Sequence, residues 1–165
     1  MKLFFLLTYL ANIGITLVSL VILPARMATH FGSGGMADGW ASSQTNALTM
    51  TGINTLMFVM LYFSPQLISI FPPRLVNLPN KRYWLSPEHL DEAKATIGGY
   101  IWQFGAVSFI FMFVLGCLTI HANLSEPVRL HEPTIYAALI ALLIYTVVWC
   151  IALFKAFRIP KDQPL

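Results

Sequence analysis

The chain has 165 residues, of which 57% are hydrophobic and only 10% carry a formal charge. A soluble domain has about 45–50% apolar and about 25% charged residues, so this chain has too little charge to cover an ordinary soluble surface. Intrinsic disorder and collagen are excluded by the high apolar content, and a disulfide scaffold by the presence of only two cysteines. The length predicts one domain, residues 1–165, and the composition predicts a membrane protein.

Four long apolar runs contain no Asp, Glu, Lys, Arg or His. They cover residues 3–23, 48–71, 100–120 and 135–154. At about 1.5 Å per residue, each reaches the ~30 Å thickness of the hydrocarbon core. Backbone polar groups in lipid must be satisfied within the protein, so the runs predict helices. The predicted fold class is an all-α membrane protein, a four-transmembrane-helix bundle.

The basic residues outside these runs fall mostly on one side of the predicted membrane. Eight of the ten lie in the N-terminus, in the connection 72–99 or after the fourth run, and two lie in the connections 24–47 and 121–134. The positive-inside rule places both termini and the connection 72–99 in the cytoplasm, and the other two connections outside. The net charge of +3 therefore reflects topology and does not indicate nucleic-acid binding. The eight are Lys2, Arg74, Lys81, Arg82, Lys94, Lys155, Arg158 and Lys161, and the two are Arg26 and Arg129.

Local signals predict where helices begin. Ser86-Pro87-Glu88 combines an N-cap residue, a proline for the first helical position and an acid for the first turn. We therefore expect a short cytoplasmic helix that leads toward the third span, with Gly98-Gly99 loosening the junction. Pro133 predicts an early position in the fourth helix. Arg26 disrupts the small-residue cleavage pattern that would end at Ala28, so we expect the first run to be a retained helix and no signal peptide.

The first run carries a polar stripe. Thr8, Asn12, Thr16 and Ser19 recur every three or four residues and so lie on one helix face. Side chains of this kind usually hydrogen-bond to neighbouring helices, and the alternative is a polar substrate path.

The connection 24–47 is rich in glycine, and Asp38-Gly39 predicts a turn. We expect a loop there that rests on the membrane or caps the helices. His30, His121 and His131 lie on the same predicted outer face, where two histidines and a carboxylate would make a metal site. No HxH or HxxxH spacing occurs, so histidines bonded to loop backbone are the favoured interpretation, and we predict no cofactor. No nucleophile–base motif is present, which favours a non-enzyme.

The connection 72–99 contains Asn77-Leu78-Pro79-Asn80-Lys81-Arg82-Tyr83-Trp84-Leu85. A turn followed by basic and aromatic residues predicts an anchor at the inner membrane interface. Lys81 and Arg82 are candidates for contact with anionic lipid headgroups.

Two spaced motifs carry a family resemblance. Pro24, His30-Phe31, Gly35 and Asp38-Gly39 resemble the domain of unknown function shared by SdpI-type bacterial immunity proteins and many small bacterial membrane proteins. Asn77-x-Pro79-Asn80-x-x-Tyr83-Trp84-Leu85 is similar to a motif in small members of that family. The resemblance implies a multi-pass protein of the bacterial plasma membrane. It also implies toxin-peptide immunity or membrane sequestration of a regulator, the roles of SdpI-type members.

Taken together, these features predict a non-enzymatic binding or accessory protein embedded in the lipid bilayer. Its expected partner is a peptide, a membrane-protein subunit or a second copy of the chain. One alternative is a metal-binding membrane protein or membrane enzyme that uses the outer histidines and acids. Another is an oligomeric small transporter or channel, which the absence of ionisable residues in the apolar runs disfavours. The predicted partner-binding residues are His30, Phe31, Gly35, Asp38, Asn80, Tyr83 and Trp84.

Overall fold

The computed structural model describes residues 1–159, most of which are helical. Four helices are long and apolar enough to cross a membrane, which confirms the four predicted apolar segments and indicates a multi-pass membrane protein. Lys161, one of the basic residues counted above, lies outside the described residues. The main elements in chain order are α1 (Lys2–Ile22), β1 (Arg26–Phe31), β2 (Ala37–Ser42), α2 (Ser43–Ile70), α3 (Lys81–Trp84), α4 (Leu90–Asn123) and α5 (Glu132–Ala156).

The connection 24–47 is not a loop. Its two strands pair antiparallel and are joined by a 3-10 turn at Ser33–Gly35. The all-α prediction is therefore wrong for this segment. The sequence conceals the hairpin for two reasons: β2 contains Ala, Asp, Gly and Ser, which are poor strand formers, and irregular pairing around His30 interrupts the two-residue alternation.

The beginning of α4 also differs from the prediction. No separate short helix starts at Ser86-Pro87-Glu88, because α4 begins at Leu90 and runs unbroken through Gly98 and Gly99. The Ser86 side chain is not the cap, since its Oγ has no hydrogen-bond partner among the described residues and His89 occupies the N-cap position. A Cβ on Gly98 would lie 3.5 Å from the ring of Pro65 in α2, an ordinary van der Waals contact, so the helix passes close to α2 here without interruption.

Two other helix beginnings follow ordinary capping rules. The Ser42 Oγ accepts a hydrogen bond from the Thr45 amide at 3.0 Å, so α2 begins at Ser43, before the predicted boundary at residue 48. Pro133 lies in the first turn of α5, which confirms the prediction for that residue.

Helices α1, α2 and α4 pack against one another, and α5 packs against α4. An aromatic cluster fills the first of these interfaces, with ring centroids of Phe5, Tyr9, Phe58 and Phe109 separated by 4.4 to 5.7 Å. Phe5 and Phe109 are fully buried. Gly105 on α4 makes room for this cluster, because a Cβ there would lie 2.5 Å from the Phe5 ring.

The polar stripe of α1 faces the other helices, as Asn12, Thr16 and Ser19 are buried. Asn12 Nδ2 donates to the Phe109 carbonyl on α4 at 2.8 Å, so this side chain joins two helices as the pattern predicted. The Thr16 and Ser19 hydroxyls instead donate to carbonyls of their own helix.

We predict that Gly105→Ala lowers the free energy of unfolding by about 1–2 kcal/mol, because the added methyl group overlaps the buried Phe5 ring. The gain of up to about 1 kcal/mol in helix propensity offsets only part of this cost. Gly99→Ala on the same helix is the matched control, since its methyl group meets no atom within 4 Å. The measurement is loss of helical circular dichroism as denaturing detergent replaces mild detergent, and equal stability of the two variants would contradict the prediction.

Candidate functional site

The connections between the long helices form two ends of the molecule. The hairpin end comprises residues 24–42 and 121–131, and the latch end comprises residues 71–89 and 157–159. The helices run alternately between these ends, so each predicted motif lies at a different one.

At the hairpin end, one buried side chain fastens β1 to α4. Asn123 Oδ1 accepts a hydrogen bond from the Ala28 amide at 2.7 Å, and Asn123 Nδ2 donates to the Ala28 carbonyl at 2.9 Å. Asn123 is only 8% exposed and Ala28 is fully buried. Both backbone polar groups of Ala28 are thus satisfied away from water. Sequence reasoning did not find Asn123, whose only signal is an amide residue at the end of a long apolar helix.

The connection between α4 and α5 fastens the turn of the hairpin. The Leu130 amide donates to the Gly35 carbonyl at 2.8 Å, and Arg129 Nε donates to the Gly34 carbonyl at 2.7 Å. The Gly34 amide donates to the Glu132 carboxylate at 3.1 Å. Gly35 has φ of +73°, and a Cβ there would overlap the Leu130 carbonyl. A glycine is therefore required at this position by both conformation and space.

The outward surface of the hairpin carries three of the predicted residues, His30, Phe31 and Asp38, and one further aromatic residue, Trp40. His30 Nδ1 lies 2.5 Å from Asp38 Oδ1, and these side chains are 74% and 53% exposed. Gly39 allows this pair to form, because a Cβ on it would lie 2.7 Å from the His30 Cβ. Phe31 is half-buried, and Trp40 is 45% exposed. Because both side chains are exposed, the pair contributes little to stability and leaves polar groups available at the surface.

The structure does not bring His30, His121 and His131 together as metal ligands. His30 pairs with Asp38, while His131 Nδ1 bonds to the Thr134 hydroxyl at 2.6 Å. His121 and His131 line one shallow cavity of about 400 Å³. Across residues 1–159, no three His, Cys, Asp or Glu side chains are grouped so that they could hold a metal ion.

At the latch end, two of the predicted residues bind within the chain. Asn80 Nδ2 and Trp84 Nε1 both donate to the Phe157 carbonyl, at 2.8 and 3.0 Å. Trp84 is 4% exposed, and its ring packs edge-on against the Phe157 ring at 5.3 Å between centroids. Asn80 and Trp84 therefore connect α3 to the residue that follows α5. Phe157 is a partner that the sequence did not indicate.

The remaining predicted residues of the latch end are more accessible. Tyr83 is half-buried and stacks on His89 with ring centroids 4.0 Å apart. Lys81 and Arg82 are exposed, as contact with lipid headgroups requires.

We predict that Asn123→Leu exposes the Ala28 amide to hydrogen exchange. The variant leaves a buried donor and a buried acceptor without partners, so the exchange protection of that amide falls roughly 10- to 100-fold. Ser125→Ala is the matched control, because the Ser125 hydroxyl binds only the exposed end of α4, at the His121 carbonyl. Hydrogen–deuterium exchange with mass spectrometry in mild detergent measures both variants, and unchanged protection in Asn123→Leu would refute the role assigned to Asn123.

One family comparison bears on this arrangement. A family model described as a domain of unknown function (DUF1648) matches residues 7–55, and that domain is found in small membrane proteins. The matched segment comprises most of α1, the whole hairpin and the first part of α2. No curated protein and no solved structure matches the chain. The similarity therefore covers the hairpin and the two helices that flank it, and it assigns no activity.

Proposed function

We propose that this chain is a non-enzymatic binding protein of the bacterial plasma membrane that presents its hairpin to an external partner. The observation that carries the proposal is the contrast between the two sides of the hairpin. One side is fixed to the helices through Asn123 and Leu130, while His30, Asp38 and Trp40 stay exposed on the other. A surface that is held rigid before binding loses little conformational entropy on binding.

The free strand edge favours an extended peptide as the partner. The Ala28 backbone groups point to Asn123 and hence away from β2. In an antiparallel pair, the residue opposite such a position also turns its backbone groups outward, and the residue opposite Ala28 is Trp40. At the start of β2 this edge is taken up by the bridge between Met36 and Arg129, and within residues 1–159 no strand pairs with the rest of it, around Trp40. A peptide that adds a strand around Trp40 would gain backbone hydrogen bonds, with the Trp40 ring and the His30–Asp38 pair beside it for selectivity.

The resemblance to SdpI-type proteins supports a secreted peptide as one such partner, and an external segment of a membrane protein is the other. Sequestration of a cytoplasmic regulator has weaker support. It would require the latch end, where Asn80 and Trp84 are already bonded to Phe157.

The proposed topology places the hairpin end outside, with the four long helices as a membrane bundle and both termini in the cytoplasm. Of the basic residues that the structure describes, seven belong to or adjoin the latch end, whereas Arg26 and Arg129 belong to the hairpin end. This bias follows the positive-inside rule.

We predict that a membrane-impermeant maleimide labels Ser33→Cys but not Glu88→Cys in intact cells. Both positions are exposed, one at each end of the molecule. The parent for both variants carries Cys117→Ser and Cys150→Ser, so that the introduced thiol is the one labelled. Labelling of Glu88→Cys after cell lysis is the control for its reactivity, and the reverse pattern in intact cells would overturn the topology.

We predict that a photo-crosslinking amino acid in place of Trp40 forms a discrete protein or peptide adduct in native cells. Leu124 is the matched control position, because it is 57% exposed at the same end but is the residue that ends α4, outside both strands. Asn123→Leu should reduce the Trp40 adduct several-fold, since it frees the hairpin from α4. The proposal fails if Trp40 yields no adduct, or if positions 40 and 124 yield the same adducts equally well.

A further inference from the structure

A cavity of about 180 Å³ lies between α1, α2 and α4, beneath the hairpin. The buried side chains of Leu23 and Met27 line it toward the hairpin, and Asn12 lines it toward the aromatic cluster. Its volume is close to that of an engineered protein cavity of about 150 Å³ that binds benzene. The space is therefore large enough for a small organic molecule.

One side chain of the cavity wall, Asn54, has a buried polar atom without a partner in the described part of the chain. Asn54 is 3% exposed, and its Nδ2 donates to the Met50 carbonyl at 2.8 Å, which fixes the orientation of the amide. Throughout residues 1–159, no group donates a hydrogen bond to Asn54 Oδ1. A buried acceptor without a donor is costly, so this oxygen selects for a molecule that brings one.

Two neighbouring polar groups on α1 have the same character, whereas Asn46 and Thr119 elsewhere in the wall carry groups that can donate. The Thr16 hydroxyl donates a hydrogen bond to the Asn12 carbonyl at 2.8 Å, and the Ser19 hydroxyl donates to the Thr16 carbonyl at 2.7 Å. Both hydroxyl oxygens can therefore only accept hydrogen bonds from a bound molecule. No charged side chain lines the cavity among the residues described. Beside Asn54 a carboxylate would meet the acceptor oxygens of Thr16 and Ser19 and no counter-charge, and an ammonium group would likewise find no counter-charge. The apolar part of the wall includes Met27, Met50 and Met112, whose flexible side chains adapt to irregular shapes.

We propose that this cavity binds a small neutral amphipathic molecule, whose apolar body fills the space and whose hydroxyl or N–H group donates to Asn54 Oδ1. A lipid with a hydroxyl group and a free aromatic or aliphatic alcohol share this chemistry. The site is independent of the strand edge proposed above for a peptide.

The test compares 4-fluorophenol with 4-fluorotoluene, which have similar shapes and differ in a hydroxyl against a methyl group. Fluorine-19 NMR of the full chain in mild detergent separates bound probe from probe in the micelle. After correction for micelle partition, 4-fluorophenol should bind roughly 5- to 10-fold tighter than 4-fluorotoluene, the effect of one buried hydrogen bond. If neither probe binds, or if both bind equally, water alone satisfies Asn54 and the proposal is overturned.

Two variants locate the site. Asn54→Leu should abolish the preference for 4-fluorophenol, because it replaces the acceptor with an apolar group of similar size. Gly116→Leu should remove binding of both probes, since its Cβ fits at 3.6 Å from Ile15 and the rest of the side chain fills the cavity. Gly14→Leu is the control for a leucine added on an open helix face, as a Cβ there meets nothing within 4 Å. An undiminished preference in Asn54→Leu, in a sample with unchanged helicity, would refute the role of the amide.

Mass spectrometry of organic extracts from the purified protein distinguishes the two sources of ligand. A hydroxyl-bearing lipid that wild-type protein retains stoichiometrically, and that Gly116→Leu loses, would support the site with a lipid as its occupant. Extracts without such a lipid, together with the expected probe preference, would support the site with a free alcohol as its occupant.

Discussion

The hairpin end depends on the pair of hydrogen bonds that joins Asn123 to Ala28. A strand edge that is buried against a helix has backbone groups that water cannot reach, and each must find a partner. One amide side chain supplies both a donor and an acceptor in the spacing that a strand residue presents. This explains how Met27 and Ala28 of β1 can lie buried although no further strand continues the sheet on that side in the described part of the chain.

Hydrogen bonds from an asparagine side chain to a distant backbone group also occur at two other places in the molecule. Asn12 donates to the Phe109 carbonyl between α1 and α4, and Asn80 donates to the Phe157 carbonyl at the latch end. A chain with little charge has few ion pairs available, and ion pairs within an apolar interior carry a large desolvation cost. Amide-to-backbone bonds avoid that cost while they fix the relative positions of elements that are distant in sequence.

The apolar runs alone were sufficient to predict the four long helices, because nothing but a helix satisfies the backbone over 20 apolar residues in lipid. The inward-facing stripe of α1 was equally predictable from its spacing. The hairpin was not, since its pairing is irregular and its second strand consists largely of residues that disfavour strands. The hydrogen-bond partners of the site residues could not be predicted from the sequence either. Nothing local connects Ala28 with Asn123, or Trp84 with Phe157, because these bonds depend on where distant helix ends meet.

The interface of α1, α2 and α4 has two halves with different chemistry. Toward the latch end, the rings of Phe5, Tyr9, Phe58 and Phe109 fill the space between the helices. Toward the hairpin end, α1 instead contributes Thr16 and Ser19, whose short side chains bond back to their own helix and reach little across the interface. Helices held apart by large rings at one level cannot close fully on small side chains at the next, so space remains there. The cavity beneath the hairpin is thus a consequence of residue size along α1, and the side chain of Met27 from β1 reaches its wall.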